Sequence, residues 1–179
     1  MTRVGNIYGQ ALYDLARDES LSGSILEELS ALKELFAGNR DYVRLLSVPN
    51  VSKEERCALL DEAFSGKIHP YVLNFLKILT EKGYIARFAD CEEAYRNLYN
   101  EDNGILPVKA VSAIALTENQ AQRLSAKLGS LTGKTIELTN VVDPECLGGI
   151  RLDYDGTRMD DTVLHRLESV RKLLKNTVL

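Results

Sequence analysis

The sequence has 179 residues with 26 acidic and 22 basic side chains, a formal net charge of −4, and 45% hydrophobic and 27% charged residues. That length suits one large domain or two small ones with a real core, and the balance is that of an ordinary soluble globular protein. No apolar run approaches the roughly 20 residues that cross a bilayer, and no basic-then-apolar leader precedes the first helix. The chain therefore reads as cytoplasmic, without direct membrane insertion.

Charge is unevenly placed. Up to Gly104 there are 17 acidic and 12 basic residues, and beyond it 9 and 10, so the first part is clearly acidic. An acidic helical half argues against a nucleic-acid groove, which needs a clustered basic face. A helical partner carrying some positive charge would suit it better. The three cysteines, Cys57, Cys91 and Cys146, are odd in number and far apart. That spacing excludes a closed disulfide framework and a CxxC metal pair, and the three read as buried structural thiols.

Val4, Tyr8, Ala11 and Leu15 recur at helical spacing, and Ile7 and Leu12 widen the stripe. Ile25, Leu29, Leu32 and Phe36 mark a second helix that ends near Gly38. A short third element around Tyr42 to Leu46 stops before Pro49. Ser52 and Glu55 form a capping box opening a fourth helix through Leu60 and Phe64. A fifth runs from about Pro70 to Lys82, with Gly83 as its stop, and a sixth carries Tyr84, Phe88, Cys91, Tyr95 and Leu98 on one face. Breaks this short imply an antiparallel six-helix bundle. In the fifth helix Tyr71, Val72, Leu73, Phe75, Leu76, Ile78 and Leu79 wrap nearly the whole circumference. A helix apolar all round is either central in a core or docks a partner, and a bundle this small has difficulty burying every one of these side chains.

The polar, glycine-containing run Glu101 to Gly104 is the domain boundary, dividing the chain into 1–104 and 105–179. Ile105 to Leu116 reads as a strand, and Thr117 with Gln120 caps a helix carrying Ala121, Leu124, Leu128 and Leu131. Two strands follow, Asp155-Gly156 is a hairpin turn, and a last helix starts near Asp160 to Thr162 and continues through Val163, Leu167, Val170 and Leu174. The fold class is α+β: a helical bundle, then a small α/β module of order β-α-β-β-β-α.

Chemistry-bearing patterns are sparse. Gly129 to Thr135 superficially suggests a phosphate loop, but only three residues separate its glycines and it joins a helix to a following strand, so its N–H groups do not sit at a helix N-terminus. Asp161 and His165 lie one helical turn apart with no nucleophile tied to them. Glu54-Glu55, Asp61-Glu62 and Glu92-Glu93 read as solvated helix faces. The expectation is a chain with no catalytic residue, no cofactor and no metal site.

The stretch from Ile136 to Leu152 carries the most information. Ile136, Leu138 and Val142 share one parity, as do Ile150, Leu152 and Tyr154. Asp143-Pro144 breaks the strand, and Gly148-Gly149 opens the next one where a side chain would clash. With the amphipathic helix that follows, this run resembles the signature of the delta subunit of F-type ATP synthases, a family that includes the mitochondrial oligomycin-sensitivity-conferring protein. The run Asn6 to Ala16 is similar to that family's opening helix, and Leu79 to Ile85 to its fifth-to-sixth helix junction. Cys146 stands where the signature usually has a branched aliphatic, and Asp153 and Asp155 also depart from it.

The resemblance implies a non-catalytic stator subunit, monomeric within a proton-translocating ATP synthase and peripheral on the cytoplasmic face of the membrane or its organelle equivalent. Its helical domain would grip alpha subunits of the catalytic head, and its second module would meet the b-type subunits of the peripheral stalk. The expected groove for an alpha-subunit helix is formed by Ile7, Tyr8, Ala11, Leu12 and Leu15 with Val72, Leu76 and Leu79. Val142, Asp143, Gly148, Gly149 and Ile150 are the structural signature. The competing reading is a helical adaptor or RNA-associated protein.

Overall fold

A computed structural model describes residues 2–48 and 51–167. The chain divides into two compact units, Met1–Tyr99 and Asn100–Leu179. Helices come first: α1 (Arg3–Asp18), α2 (Ser22–Gly38), α3 (Arg40–Ser47), α4 (Lys53–Phe64), α5 (Pro70–Glu81) and α6 (Phe88–Asp102), the last preceded by a 3-10 turn at Ile85–Arg87. Strand β1 (Ile105–Ser112), helix α7 (Glu118–Thr132) and strands β2 (Thr135–Val142), β3 (Ile150–Tyr154) and β4 (Thr157–Asp160) follow. Residues 163–167 are helical. Val170 and Leu174, expected on that last helix, lie outside the described residues.

The helix starts follow local chemistry. Thr2 caps α1 by accepting from the Gly5 N–H at 3.2 Å, while its hydroxyl donates to Asp90 on α6 at 2.7 Å. Ser52 and Glu55 form a reciprocal capping box on α4, and Thr117 and Gln120 do the same on α7. His69 caps α5 through Nδ1, with Pro70 in the first turn, where its missing N–H costs nothing.

In the first unit the core gathers Leu12, Tyr13 and Ala16 of α1 with Ile25, Leu29 and Phe36 of α2, Leu60 of α4, Val72, Leu76 and Leu79 of α5, and Phe88 and Tyr95 of α6. Helix α5 is its apolar centre: Val72, Leu76 and Leu79 have no exposed surface, and Ile78 alone of the wrap-around set is exposed. Arg56 is buried and donates to the carbonyls of Leu46 (3.1 Å) and Thr80 (3.3 Å), satisfying the ends of α3 and α5. Glu92 corrects the expectation of a solvated carboxylate. It is fully buried and held by Lys33 from α2 at 2.5 Å and by Arg96 at 2.6 Å. Its neighbour Glu93 is exposed as expected.

In the second unit the sheet order is β2-β1-β3-β4. Strands β1 and β2 are parallel, with α7 as the crossover, and Leu106 faces Ile136 and Val108 faces Leu138. Strand β3 runs antiparallel to β1, with Ala110 opposite Leu152, and turns into β4 through Asp155 (φ 45°) and Gly156 (φ 69°). Strand β1 is shorter than the expected Ile105 to Leu116 and leaves the sheet after Ser112, where Asn140 takes over the polar groups. The Asn140 amide accepts from the Leu116 N–H at 2.9 Å and donates to the Ala110 carbonyl and to Ser112 Oγ, also at 2.9 Å. Pro107 is tolerated because β3 reaches back only to Lys109, so β1 has one neighbour there. Leu106, Val108, Ala110 and Leu152 form a small core beneath Leu124 and Leu128 of α7.

Candidate functional site

On α1 two faces have different composition. Gly5, Gly9, Leu12, Tyr13 and Ala16 turn inward, and the absent side chain of Gly9 lets the helix approach the backbone of α6. Ile7, Ala11 and Leu15, spaced at i, i+4 and i+8, turn outward, with Ile7 56% and Leu15 42% exposed. The outward stripe is about 12 Å long, from the 1.5 Å rise per residue. Tyr8 lies half-buried at its margin, its ring 6.0 Å from that of Tyr84. Tyr84 follows the left-handed Gly83 that ends α5, donates its N–H to the Leu79 carbonyl at 2.7 Å, and remains exposed. This ring pair joins the α1 stripe to the C-terminal end of α5.

The expected groove residues therefore separate. Ile7, Ala11 and Leu15 are open to solvent and Tyr8 partly so, whereas Leu12, Val72, Leu76 and Leu79 are core side chains with 5% exposure or none. Those four present no surface to a partner, because the inward face of α1 and the whole middle of α5 are needed to close the unit. Tyr84 was missed as a surface residue. Its apolar ring fits the face of the sixth helix by spacing, but the chain reaches α6 only after a 3-10 turn.

The signature residues form a junction in the second unit. Val142 ends β2 opposite Ser112, and Asp143 donates its N–H to the Ser112 carbonyl at 2.9 Å. The Asp143 carboxylate caps the short 3-10 turn Pro144–Cys146 by accepting from the Glu145 N–H at 3.1 Å. Gly149 has φ +78°, and a Cβ there would collide with the Asp161 carbonyl oxygen. The Ile150 carbonyl accepts from the Asp161 N–H at 3.1 Å, and the Gly148 carbonyl from the Val163 N–H at 3.0 Å. The glycine pair thus holds the chain leaving β4 against the start of β3. Val142, expected inside with Ile136 and Leu138, is 48% exposed because it stands at the strand end.

The patterns considered for chemistry take structural roles. Gly133 caps α7 in the left-handed region, returning its N–H to the Gly129 carbonyl at 2.9 Å, so Gly129 to Thr135 is a helix end and turn. Arg166 binds the Asp161 carboxylate, and Thr162 Oγ1 accepts from the His165 N–H at 3.2 Å. Cys91 is buried, and desolvation first, with Asp90 second, pushes its thiol up to about 11, far from a reactive thiolate. Cys146 is also buried, while Cys57 is only partly so and lies 3.9 Å from a Glu81 carboxylate oxygen.

Residues 4–174 match the family described as ATP synthase delta (OSCP) subunit. The chain belongs to that family. It is 31% identical over 176 residues to the ATP synthase subunit delta of Clostridioides difficile (strain 630), a match that covers 98% of this chain and 97% of the relative. With the subunit delta of Desulfitobacterium hafniense (strain Y51) it shares 32% over 173 residues, 97% of each. Its fold is similar to that of a chain in the cryo-EM structure of the Toxoplasma gondii mitochondrial ATP synthase hexamer, with a TM-score of 0.76, 16% identity, and coverage of 97% and 98%.

The protein is accordingly a non-catalytic stator subunit of an F-type ATP synthase, part of the peripheral stalk. Among the described residues no helix is long and apolar enough to cross a membrane, and the subunit is a peripheral member of a membrane-associated complex.

Proposed function

We propose that the first unit is an antiparallel six-helix bundle that grips an amphipathic helix at the N-terminus of an alpha subunit, and that the second unit engages a b-type stalk subunit. The observation that carries the first contact is the outward stripe of Ile7, Ala11 and Leu15, extended by the Tyr8–Tyr84 pair to the end of α5. Large apolar side chains left in water at helical spacing forfeit roughly 1.5–3 kcal/mol each, and a partner helix recovers that by covering them. For the second contact, Met159, Val163, Leu164 and Leu167 are exposed large apolar side chains within 20 residues of the C-terminus.

A stator has to hold the catalytic head against the torque of the rotor, so its work is binding at both ends. On this reading residues 1–104 serve the head and 105–179 the stalk, on the cytoplasmic face of the membrane. Calorimetry with a peptide copying a matching alpha-subunit N-terminus tests it. One-to-one binding should be lost in Ile7→Gln and Leu15→Gln proteins that melt like the parent. Unchanged binding in both would remove the α1 stripe from the interface.

A further inference from the structure

A second feature of the first unit lies on helices α2, α3 and α6 and the 3-10 turn, none of which carries the α1 stripe. A cleft of about 330 Å³ opens there. Its floor is the edge of the aromatic cluster: Phe36 and Phe88, both buried, stand edge to face with centroids 5.1 Å apart. The depression exists because the surrounding positions are small. Ala37, Ala86 and Ala89 line it and are themselves exposed, so no side chain of the unit fills the space over the rings.

Two cations stand at the rim. Lys33 is committed to the buried Glu92 carboxylate at 2.5 Å. Arg40, at the first position of α3, is exposed and has no ion-pair partner among the described residues. An apolar floor beneath an available guanidinium matches a ligand with one anionic end and one apolar end. The volume falls at the lower limit of small-molecule sites, roughly 300–1,000 Å³, and is too small to admit a helix. The acidic balance of this part of the chain makes a cationic rim a local exception.

We infer that this cleft binds a medium-chain carboxylate, its apolar tail over Phe36 and Phe88 and its carboxylate on Arg40. None of its lining residues is Ile7, Tyr8, Ala11, Leu15 or Tyr84, the side chains assigned above to the alpha-subunit contact.

The test is calorimetric titration of the purified full chain with decanoate below its micelle concentration, with decanol as the uncharged control. Saturable one-to-one binding is expected, with decanol at least tenfold weaker. Arg40→Gln should weaken decanoate about tenfold, the loss expected for one charge-assisted hydrogen bond. Ala89→Leu should abolish binding by filling the cleft, and leucine at an exposed helical position keeps the fold. Ala37→Leu serves if that variant melts early. The proposal is overturned by any of three results: no saturable binding, decanol binding as well as decanoate, or decanoate binding unchanged by Arg40→Gln and the filling variants. Binding of an acidic leucine-bearing peptide without binding of decanoate would make the occupant a protein segment and also overturn it.

Discussion

Gly9 of α1 packs directly on Ala94 of α6: a Cβ added to the glycine would stand 2.9 Å from the Ala94 Cβ and 2.6 Å from the Cys91 carbonyl oxygen. This contact fixes which face of α1 is buried and hence which face Ile7, Ala11 and Leu15 show to solvent. Gly9→Ala gains roughly 1 kcal/mol of helix propensity, but the clash is with backbone, and overpacking typically costs about 1–3 kcal/mol. The expected outcome is a lower urea midpoint for Gly9→Ala and a lower one still for Gly9→Val. A rise in the Gly9→Ala midpoint would mean that the two helices separate at little cost.

Much of this fold was legible because its cues are local. The capping boxes at Ser52 and Thr117, the left-handed stop at Gly83 and the Asp155-Gly156 hairpin each depend on residues within four positions of one another. Glu92 was not legible. Its burial depends on Lys33, 59 positions away, and on Ser30, which shares Arg96 at 2.7 Å. The expected groove was half legible. Spacing identified α1 and α5 as unusually apolar, but it could not say which apolar side chains the other helices cover. That division is set by the Gly9 contact on α1 and by the enclosure of α5.

The Glu92 network makes a prediction about partners. Arg96 donates to Glu92 Oε1 through Nε at 2.8 Å and Nη2 at 2.6 Å, and Lys33 Nζ donates to the other carboxylate oxygen, Oε2, at 2.5 Å. Glu92 has no exposed surface, whereas side chains of Lys33 and Arg96 are 45% and 34% exposed, so solvent screens both cations. Arg96→Met should cost about 1.5–3 kcal/mol, as loss of charge-assisted bonds to a buried carboxylate, and Lys33→Met less. A double-mutant cycle with Glu92→Gln should show coupling of at least about 0.5 kcal/mol. Strict additivity would show that the ion pairs hold nothing together.

Gly149 lies beneath Asp161 with φ +78°, so a side chain there meets two obstacles, the left-handed backbone and the Asp161 carbonyl. Gly149→Ala should release the chain after β4 from the start of β3. Hydrogen exchange should report it at the Asp161 and Val163 amides, which donate to Ile150 and Gly148. Protection should fall at those two amides more than at Lys109 to Ser112 in the adjoining sheet. Equal protection in parent and variant would remove the glycine pair from the role assigned to it.

Acid should loosen the same region. The Asp160 carboxylate accepts from Thr162 Oγ1 at 2.7 Å and from the Thr162 N–H at 3.0 Å, and these bonds hold its pKa below the ordinary aspartate value. A depressed folded pKa contributes stability that is fully present above the unfolded value, near 3.9 for a free aspartate, and is lost as pH falls through the folded one. The parent should therefore lose protection around residues 160–165 as pH drops below about 4, and Asp160→Asn should show a smaller acid dependence there. Acid sensitivity identical in the two proteins would exclude Asp160 as its source.

The α1 and α5 residues differ in what their loss should do. Leu76 has no exposed surface and sits in the middle of the core, so Leu76→Ala should cost about 2–5 kcal/mol through lost burial and the cavity left behind. Its effect on partner binding would follow from partial unfolding. Leu15 is 42% exposed, and glutamine at that position keeps good helix propensity, so Leu15→Gln should change stability by no more than about 0.5 kcal/mol. If α1 carries the interface, Leu15→Gln weakens peptide binding at unchanged urea midpoint, while Leu76→Ala lowers the midpoint and leaves affinity intact in the folded fraction. The reverse pattern, with binding following Leu76 in a fully folded sample, would require α5 to open its core to the partner. The enclosed packing of Val72, Leu76 and Leu79 argues against that opening, because all three would have to leave a core in which none has any surface exposed.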